Sequence, residues 1–131
     1  MKGVKGKELL LTVGNKIGKL EEITKTIKDN GINIRAICAW VADNKAFFRL
    51  VTSDNAKTKA VLQRLGTVNE EEVVIVDMVD ESGQLSLLST RLKDNNIDLK
   101  HIYGTASEPG KSVIIIFSSD NNDKALEVIS T

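Results

Sequence analysis

The stretch VGNKIGKLEEITKTIKDNGINI, residues 13–34, decides the fold. A short apolar strand opens it, and a polar loop then leads to Gly18. Apolar residues follow three and four positions apart, at Leu20, Ile23 and Ile27, which predicts an amphipathic helix. The Asn-Gly pair after this helix is typical of a helix end, where glycine supplies a left-handed backbone conformation. The Ile-Asn-Ile that follows predicts the start of the next strand.

The same pattern returns 65 residues later as VDESGQLSLLSTRLKDNNIDL, residues 79–99. Gly18 corresponds to Gly83, and the triplet Lys-Asp-Asn closes both predicted helices. A shared loop, helix end and strand entry in one register indicate an internal duplication. Two repeats predict two similar small domains, residues 1–72 and 73–131, rather than a solenoid.

Composition narrows the class of protein. The chain of 131 residues is 41% hydrophobic and 27% charged, which is typical of a globular protein. Its 18 basic residues balance 18 acidic ones, which argues against a nucleic-acid binder. No apolar run approaches the roughly 20 residues that span a membrane, and the N-terminus lacks the apolar core of a signal peptide. The predicted location is the cytoplasm.

Each repeat is predicted to follow the order β-α-β-β-α-β. This order describes the ferredoxin-like arrangement, an α+β fold with an antiparallel sheet and both helices on one face. Residues 67–79 show no linker composition, so one strand is predicted to run across the joint between the repeats. The acidic run at 70–72 is interpreted there as a solvated bend. Residues 1–7 are rich in lysine and glycine and are predicted to be frayed.

The second repeat is predicted to lack its last strand, because the final predicted helix extends to residue 129. Its sheet edge is therefore predicted to stay open or to be filled by a neighbour. The strands are apolar, as in VVIV at 73–76 and VIII at 113–116. These features predict a homodimer with two-fold symmetry and sheet residues at the contact.

At the loops, the residues resemble the ACT domain family of regulatory modules that bind small molecules. The family pattern is a strand ending in Asn or Asp, two residues, Gly, Leu, a helix, and a strand of the Ile-Asn-Ile type. It stands here as Asn15 to Leu20 and again as Asp80 to Leu85, and the resemblance covers residues 8–130. The proline that the family usually has before the glycine is replaced by Ile17 and, in the second repeat, by serine.

The resemblance implies a non-catalytic regulatory protein that binds a free amino acid at the interface between ACT units. Helix N-termini suit a carboxylate, and the Asn15 or Asp80 side chain could accept hydrogen bonds from an α-ammonium group. The alternative for both side chains is that they only cap their helices. The predicted ligand-binding residues are Asn15, Lys16, Ile17, Gly18, Lys19, Leu20, Asp80, Glu81, Ser82, Gly83, Gln84 and Leu85.

Rival functions require features that the sequence does not offer. An acylphosphatase-like enzyme would need an arginine in the first loop, and an RNA-binding sheet would need exposed aromatic residues on strands one and three. A single histidine, His101, and a single cysteine, Cys38, do not make a metal site. No catalytic residue, metal or cofactor is therefore predicted. Trp40 is expected to pack against the sheet or a partner, with contact to a ligand as the alternative. A ligand-free assembly module remains the alternative function.

Overall fold

The computed structural model describes residues 1–130, and Thr131, the last residue of the predicted second domain, lies outside them. Strands and helices alternate through the described chain in an order that repeats. They are β1 (Lys2–Gly14), α1 (Lys19–Asp29), β2 (Ile34–Ala42), β3 (Lys45–Thr52), α2 (Asn55–Leu62), β4 (Thr67–Val79), α3 (Gln84–Asp94), β5 (Leu99–Gly104), β6 (Ser112–Ser119) and α4 (Asn122–Ile129).

The chain forms two compact units. The first unit is Lys7–Glu71, and the second unit combines Met1–Gly6 with the chain from Glu72 onward. Strands β1 and β4 each contribute a segment to both units, so β4 is the single strand predicted for residues 67–79. The domain prediction of 1–72 and 73–131 differs from these units at its N-terminal end, where Met1–Gly6 belongs with the C-terminal residues.

In the first unit the strand order is β2-β3-β1-β4, and β1 and β2 both run antiparallel to β3. Helices α1 and α2 pack on the same face of this sheet, as the ferredoxin-like fold predicts. Alternate strand residues point to that face, as a period of two requires. The buried core residues are Leu11, Val13, Ile23, Ile27, Ile32, Ala46, Phe48, Leu50 and Leu62.

The second unit repeats this arrangement with the strand order β1-β4-β6-β5 and with β6 antiparallel to both β4 and β5. Helices α3 and α4 cover one face, and the α+β fold class is therefore confirmed for both units. The buried core residues are Val74, Val76, Met78, Leu88, Leu92, Ile97, Phe117, Ala125 and Ile129.

The predicted open edge of the second unit is filled by the chain itself. No strand follows α4 in the described residues, but Met1–Gly6 belongs to this unit and β1 lies beside β4. A Cβ atom added to Gly6 would stand 2.5 Å from the Ile75 side chain, so this segment is closely packed. The prediction that residues 1–7 are frayed is wrong, because the glycines that indicated flexibility allow close packing instead.

The acidic run at 70–72 is also not a solvated bend. It lies within β4, and Glu71 accepts a hydrogen bond of 2.8 Å from Arg49. Arg49 donates a second bond of 2.6 Å to Glu8, whose side chain is fully buried on the helix-free face of the first unit. Burial lowers the pKa of Arg49, but hydrogen bonds to the two carboxylates raise it more, so the net shift is upward. We call Arg49, Glu8 and Glu71 the charged triad.

Both first helices end as the sequence predicts. Asn30 follows α1 and Asn95 follows α3, and each side-chain amide donates a 2.8 Å hydrogen bond to a carbonyl four residues earlier. The next residue is left-handed in both cases, with φ of 70° at Gly31 and 56° at Asn96.

No helix in residues 1–130 is long and apolar enough to cross a membrane.

Candidate functional site

The loop that joins β1 to α1 holds the first set of predicted ligand-binding residues. The backbone amide of Asn15 donates a 3.0 Å hydrogen bond to the backbone carbonyl of Asn44, in the turn between β2 and β3. Gly18 has φ 91° and precedes the helix, a conformation that favours glycine because it carries no side chain. No side chain caps α1, so amide groups in its first turn remain available to an anion.

A cleft of about 280 Å³ opens where this loop meets the edge strand β2. The loop contributes five of the six residues predicted from the sequence, since Ile17 points away and is fully exposed. Strands β2 and β3 supply the remaining wall. The lining residues are Asn15, Lys16, Gly18, Lys19, Leu20, Ala39, Trp40, Val41, Ala46 and Phe48.

The capping alternative for Asn15 and Asp80 does not hold. Gly18 and Gly83 occupy the N-cap positions, and neither helix has a side-chain cap hydrogen bond. Asn15 instead lines the cleft with an exposed side chain. Its amide oxygen is therefore able to accept a hydrogen bond from a group that enters the cleft.

Two lysines give the cleft its charge. The Lys19 ammonium is 3.3 Å from a carboxylate oxygen of Glu22 and is thereby partly neutralised. Lys16 is exposed and has no ion-pair partner within residues 1–130. Lys16 and the start of α1 together make this end of the cleft favourable for a carboxylate.

The loop that joins β4 to α3 has the same backbone but different surroundings. Gly83 has φ 89°, and the Asp80 amide donates a 2.7 Å hydrogen bond to the Lys111 carbonyl, as Asn15 does to Asn44. The connection between β5 and β6 is longer here, and the Gly110 amide also donates a 2.9 Å bond to the Asp80 carbonyl. The second loop is therefore held by one further backbone hydrogen bond, from Gly110 to Asp80, that has no counterpart at the first loop.

Strand β5 is also shorter than β2, which changes what could line a cleft at the second loop. β2 has nine residues and continues past Trp40, whereas β5 has six and ends at Gly104. By the 65-residue offset, Thr105 and Ala106 are the equivalents of Trp40 and Val41, and both lie outside any strand. The predicted residues Asp80, Glu81, Ser82, Gly83, Gln84 and Leu85 thus lie in one loop and helix start, next to the β5–β6 connection.

The remaining singled-out residues contact neighbouring side chains of their own sheets. The Trp40 ring stacks on Phe47 with centroids 5.3 Å apart, and the Arg49 guanidinium lies 5.4 Å from the Trp40 ring. His101 stacks on Tyr103 at 6.2 Å. Cys38 is half-buried and reduced, opposite Arg49 in the sheet.

The sequence alone did not identify the strand residues of the cleft. Ala39, Val41, Ala46 and Phe48 were interpreted as ordinary strand positions, because alternation cannot show which part of an edge strand stands beside a helix start. The available signal was the run of apolar residues at both parities of β2. Ala39 and Val41 of that run form part of the wall of the cleft.

Comparison with models of protein families identifies the family of this chain. The sequence matches the family model described as an ACT domain pair over residues 5–131, and the chain belongs to that family. The predicted resemblance is therefore confirmed. A comparison with curated protein sequences gave no match.

Solved structures agree on the fold. Protein BT0572 from Bacteroides thetaiotaomicron has a TM-score of 0.88 at 24% identity, with 98% of this chain and 88% of that chain covered. The ligand-free regulatory subunit of aspartate kinase from Thermus thermophilus has a TM-score of 0.70 at 9% identity, with 99% and 95% covered. Escherichia coli aspartokinase III, solved in complex with lysine and aspartate, has a TM-score of 0.56 at 14% identity, with 98% and 31% covered. The chain thus shares its fold with these structures, among them the regulatory subunit of an aspartate kinase.

Proposed function

We propose that this protein is a non-catalytic regulatory protein that binds a free amino acid in the cleft beside the loop at residues 15–20. One observation carries the proposal: the family loop motif and the cleft coincide, since five of the six motif residues line it. A cleft of about 280 Å³ lies just below the roughly 300–1,000 Å³ that is usual for sites of drug-sized ligands, which suits a single amino acid.

The chemistry of the two ends of an amino acid fits this cleft. Its carboxylate would bind at the start of α1, where amide N–H groups and Lys16 favour negative charge. Its ammonium group would donate to the Asn15 side chain and to carbonyl groups of β2, an edge strand of the first unit. Gly18 leaves the space between these groups free of a side chain.

The loop at residues 80–85 was predicted as a second binding loop, and that assignment is still a prediction. Its hydrogen bonds to the β5–β6 connection favour the first loop as the principal site. The regulatory part of the proposal, the control of another protein, is supported by the family and by the likeness to an aspartate kinase regulatory subunit.

A homodimer remains part of the proposal. Apolar side chains are exposed at the cleft, with Leu20 at 53% and Val41 at 57% of their full area. Exposed apolar residues gathered at one place favour association. The same residues support the second candidate function, a ligand-free assembly module.

A thermal-shift panel of the twenty amino acids tests the proposal. A ligand at about 100 times its dissociation constant stabilises the folded state by roughly 2.7 kcal/mol, which raises the melting temperature by several degrees. At least one amino acid should produce this shift. If none does, and sedimentation equilibrium shows a dimer across micromolar concentrations, the assembly function replaces amino-acid binding. A single 14.3 kDa species throughout would contradict the homodimer.

A further inference from the structure

We propose that the cleft of the first unit selects amino acids with an uncharged, apolar side chain and rejects those with a charged one. This inference rests on the proposed function and adds the class of ligand. The observation behind it is the chemistry of the cleft wall opposite the loop.

The wall is built from two cross-strand pairs of the β2–β3 ladder. Val41 pairs with Ala46, and Ala39 pairs with Phe48, so these four side chains share one face of the sheet. Ala46 and Phe48 are 4% and 5% exposed and form a firm base, while Val41 at 57% stands at the rim. Leu20 from α1, at 53% exposure, adds a further apolar side chain to the cleft lining.

The polar groups of the cleft lie at the loop end and are all needed for the main-chain groups of an amino acid. They are the side-chain amide of Asn15, the backbone N–H groups at the start of α1, and the two lysines Lys16 and Lys19. A ligand whose carboxylate and ammonium groups meet them would direct its side chain toward the apolar wall. A methylene chain placed there gains the free energy of burial.

A charged side chain would find no partner at that wall. The cleft lining contains no carboxylate, so the ammonium of lysine would lose water without gaining an opposite charge. The only lysine of the lining without an ion-pair partner in the described residues is Lys16, and the α-carboxylate already requires it. The side chains of aspartate and glutamate would therefore also be buried without compensation.

Paired ligands test this inference by calorimetry on the full chain. Norleucine and lysine carry nearly the same methylene chain, but only lysine ends in an ammonium group, and leucine and aspartate are of similar size. Norleucine should bind at least about tenfold more tightly than lysine, and leucine at least about tenfold more tightly than aspartate, a difference of about 1.4 kcal/mol. Lysine or aspartate binding as tightly as its apolar partner would overturn the inference and leave the proposed function standing. If no amino acid binds, both fall.

A charge placed in the wall provides the second test. Val41→Glu adds a carboxylate at an exposed rim position, where the fold tolerates it, and should raise the affinity for lysine at least about tenfold while weakening norleucine binding. The matched control is Ala106→Glu, at the position that the repeat offset gives in the second half, which should leave both affinities unchanged. If Val41→Glu and Ala106→Glu have the same effect on both ligands, the assignment of the wall is wrong.

Discussion

The two units carry different residues at equivalent positions on their helix-free sheet faces. Arg49 lies opposite Leu10 in the β1–β3 ladder, and Ile116 lies opposite Ile75 in the corresponding β4–β6 ladder. The first unit therefore places the charged triad where the second places a buried isoleucine. The repeat offset also pairs the buried Glu8 with the buried Val73. The same backbone accepts either a hydrogen-bonded ion network or apolar packing on its helix-free face.

The units also differ at their loops, although their helix starts share one geometry. The first loop faces a two-residue turn and opens into a cleft, whereas the second is hydrogen-bonded on both sides of Asp80 by the longer β5–β6 connection. The two repeats thus share the backbone conformation that requires glycine at Gly18 and Gly83, whereas the strands and loops around these positions differ. The proposal that the first loop binds the ligand therefore depends on the surroundings of the loop and not on its backbone shape alone.

The largest effect should come from breaking the charged triad. Arg49→Ala leaves the Glu8 carboxylate, which is fully buried, without one of its hydrogen-bond donors, and we expect a loss of about 3–5 kcal/mol in the free energy of unfolding. Urea denaturation measures it. Glu8→Val with Arg49→Ile copies the second unit and should recover most of the loss, because apolar residues of similar volume replace buried ion pairs well. A double variant as unstable as Arg49→Ala would show that the two faces are not interchangeable.

A smaller effect should follow from crowding the strand segment that completes the second unit. Gly6→Val puts a side chain where Ile75 already stands, at 2.5 Å from the new Cβ, and overpacking of this kind costs about 1–3 kcal/mol. Gly14→Val is the matched control on the same strand, since nothing lies within 4 Å of a Cβ there. Thermal unfolding should show a lower melting temperature for Gly6→Val only. Equal losses in the two variants would mean that residues 2–6 are not packed against the second unit.

The smallest effect concerns the charge that anchors the same segment. A hydrogen bond to Asp123, with the charges of Asp123 and Glu72, raises the pKa of Lys5. A raised pKa of a cation stabilises the fold below the pKa of the unfolded chain, and this stabilisation is lost as the pH rises through the folded value. The melting temperature of Lys5→Met should therefore be slightly lower than that of the parent at pH 7, and this difference in melting temperature should disappear at alkaline pH. A gap that persists unchanged there would exclude the ion pairs as its cause.

Much of this fold could be predicted from the sequence. The period of Leu20, Ile23 and Ile27 identified α1, and the repeat then carried the same assignment to α3 and to the shared strand β4. These inferences succeeded because they depend on local spacing and on glycine conformation. The loop half of the cleft was found in the same way.

The errors share one physical reason, which is that tertiary contacts override local composition. Residues 1–7 were predicted to be frayed because the sequence does not show that Gly3 and Gly6 fit beneath side chains of the second unit. The acidic run was interpreted as a bend because its partner Arg49 lies 22 residues away. Ala39 and Val41 escaped notice as cleft residues because only the folded sheet brings them to the loop.

A calorimetric titration of two glycine variants tests the central claim, that the first loop binds the amino acid. Gly18→Val and Gly83→Val impose the same strain, since both glycines have φ near 90° and open space around them, and each should cost about 1–3 kcal/mol of stability. With the amino acid found in the panel, Gly18→Val should lose at least about tenfold in affinity, or about 1.4 kcal/mol, while Gly83→Val keeps the parent value. An unchanged affinity in folded Gly18→Val, or an equal loss in Gly83→Val, would contradict the claim.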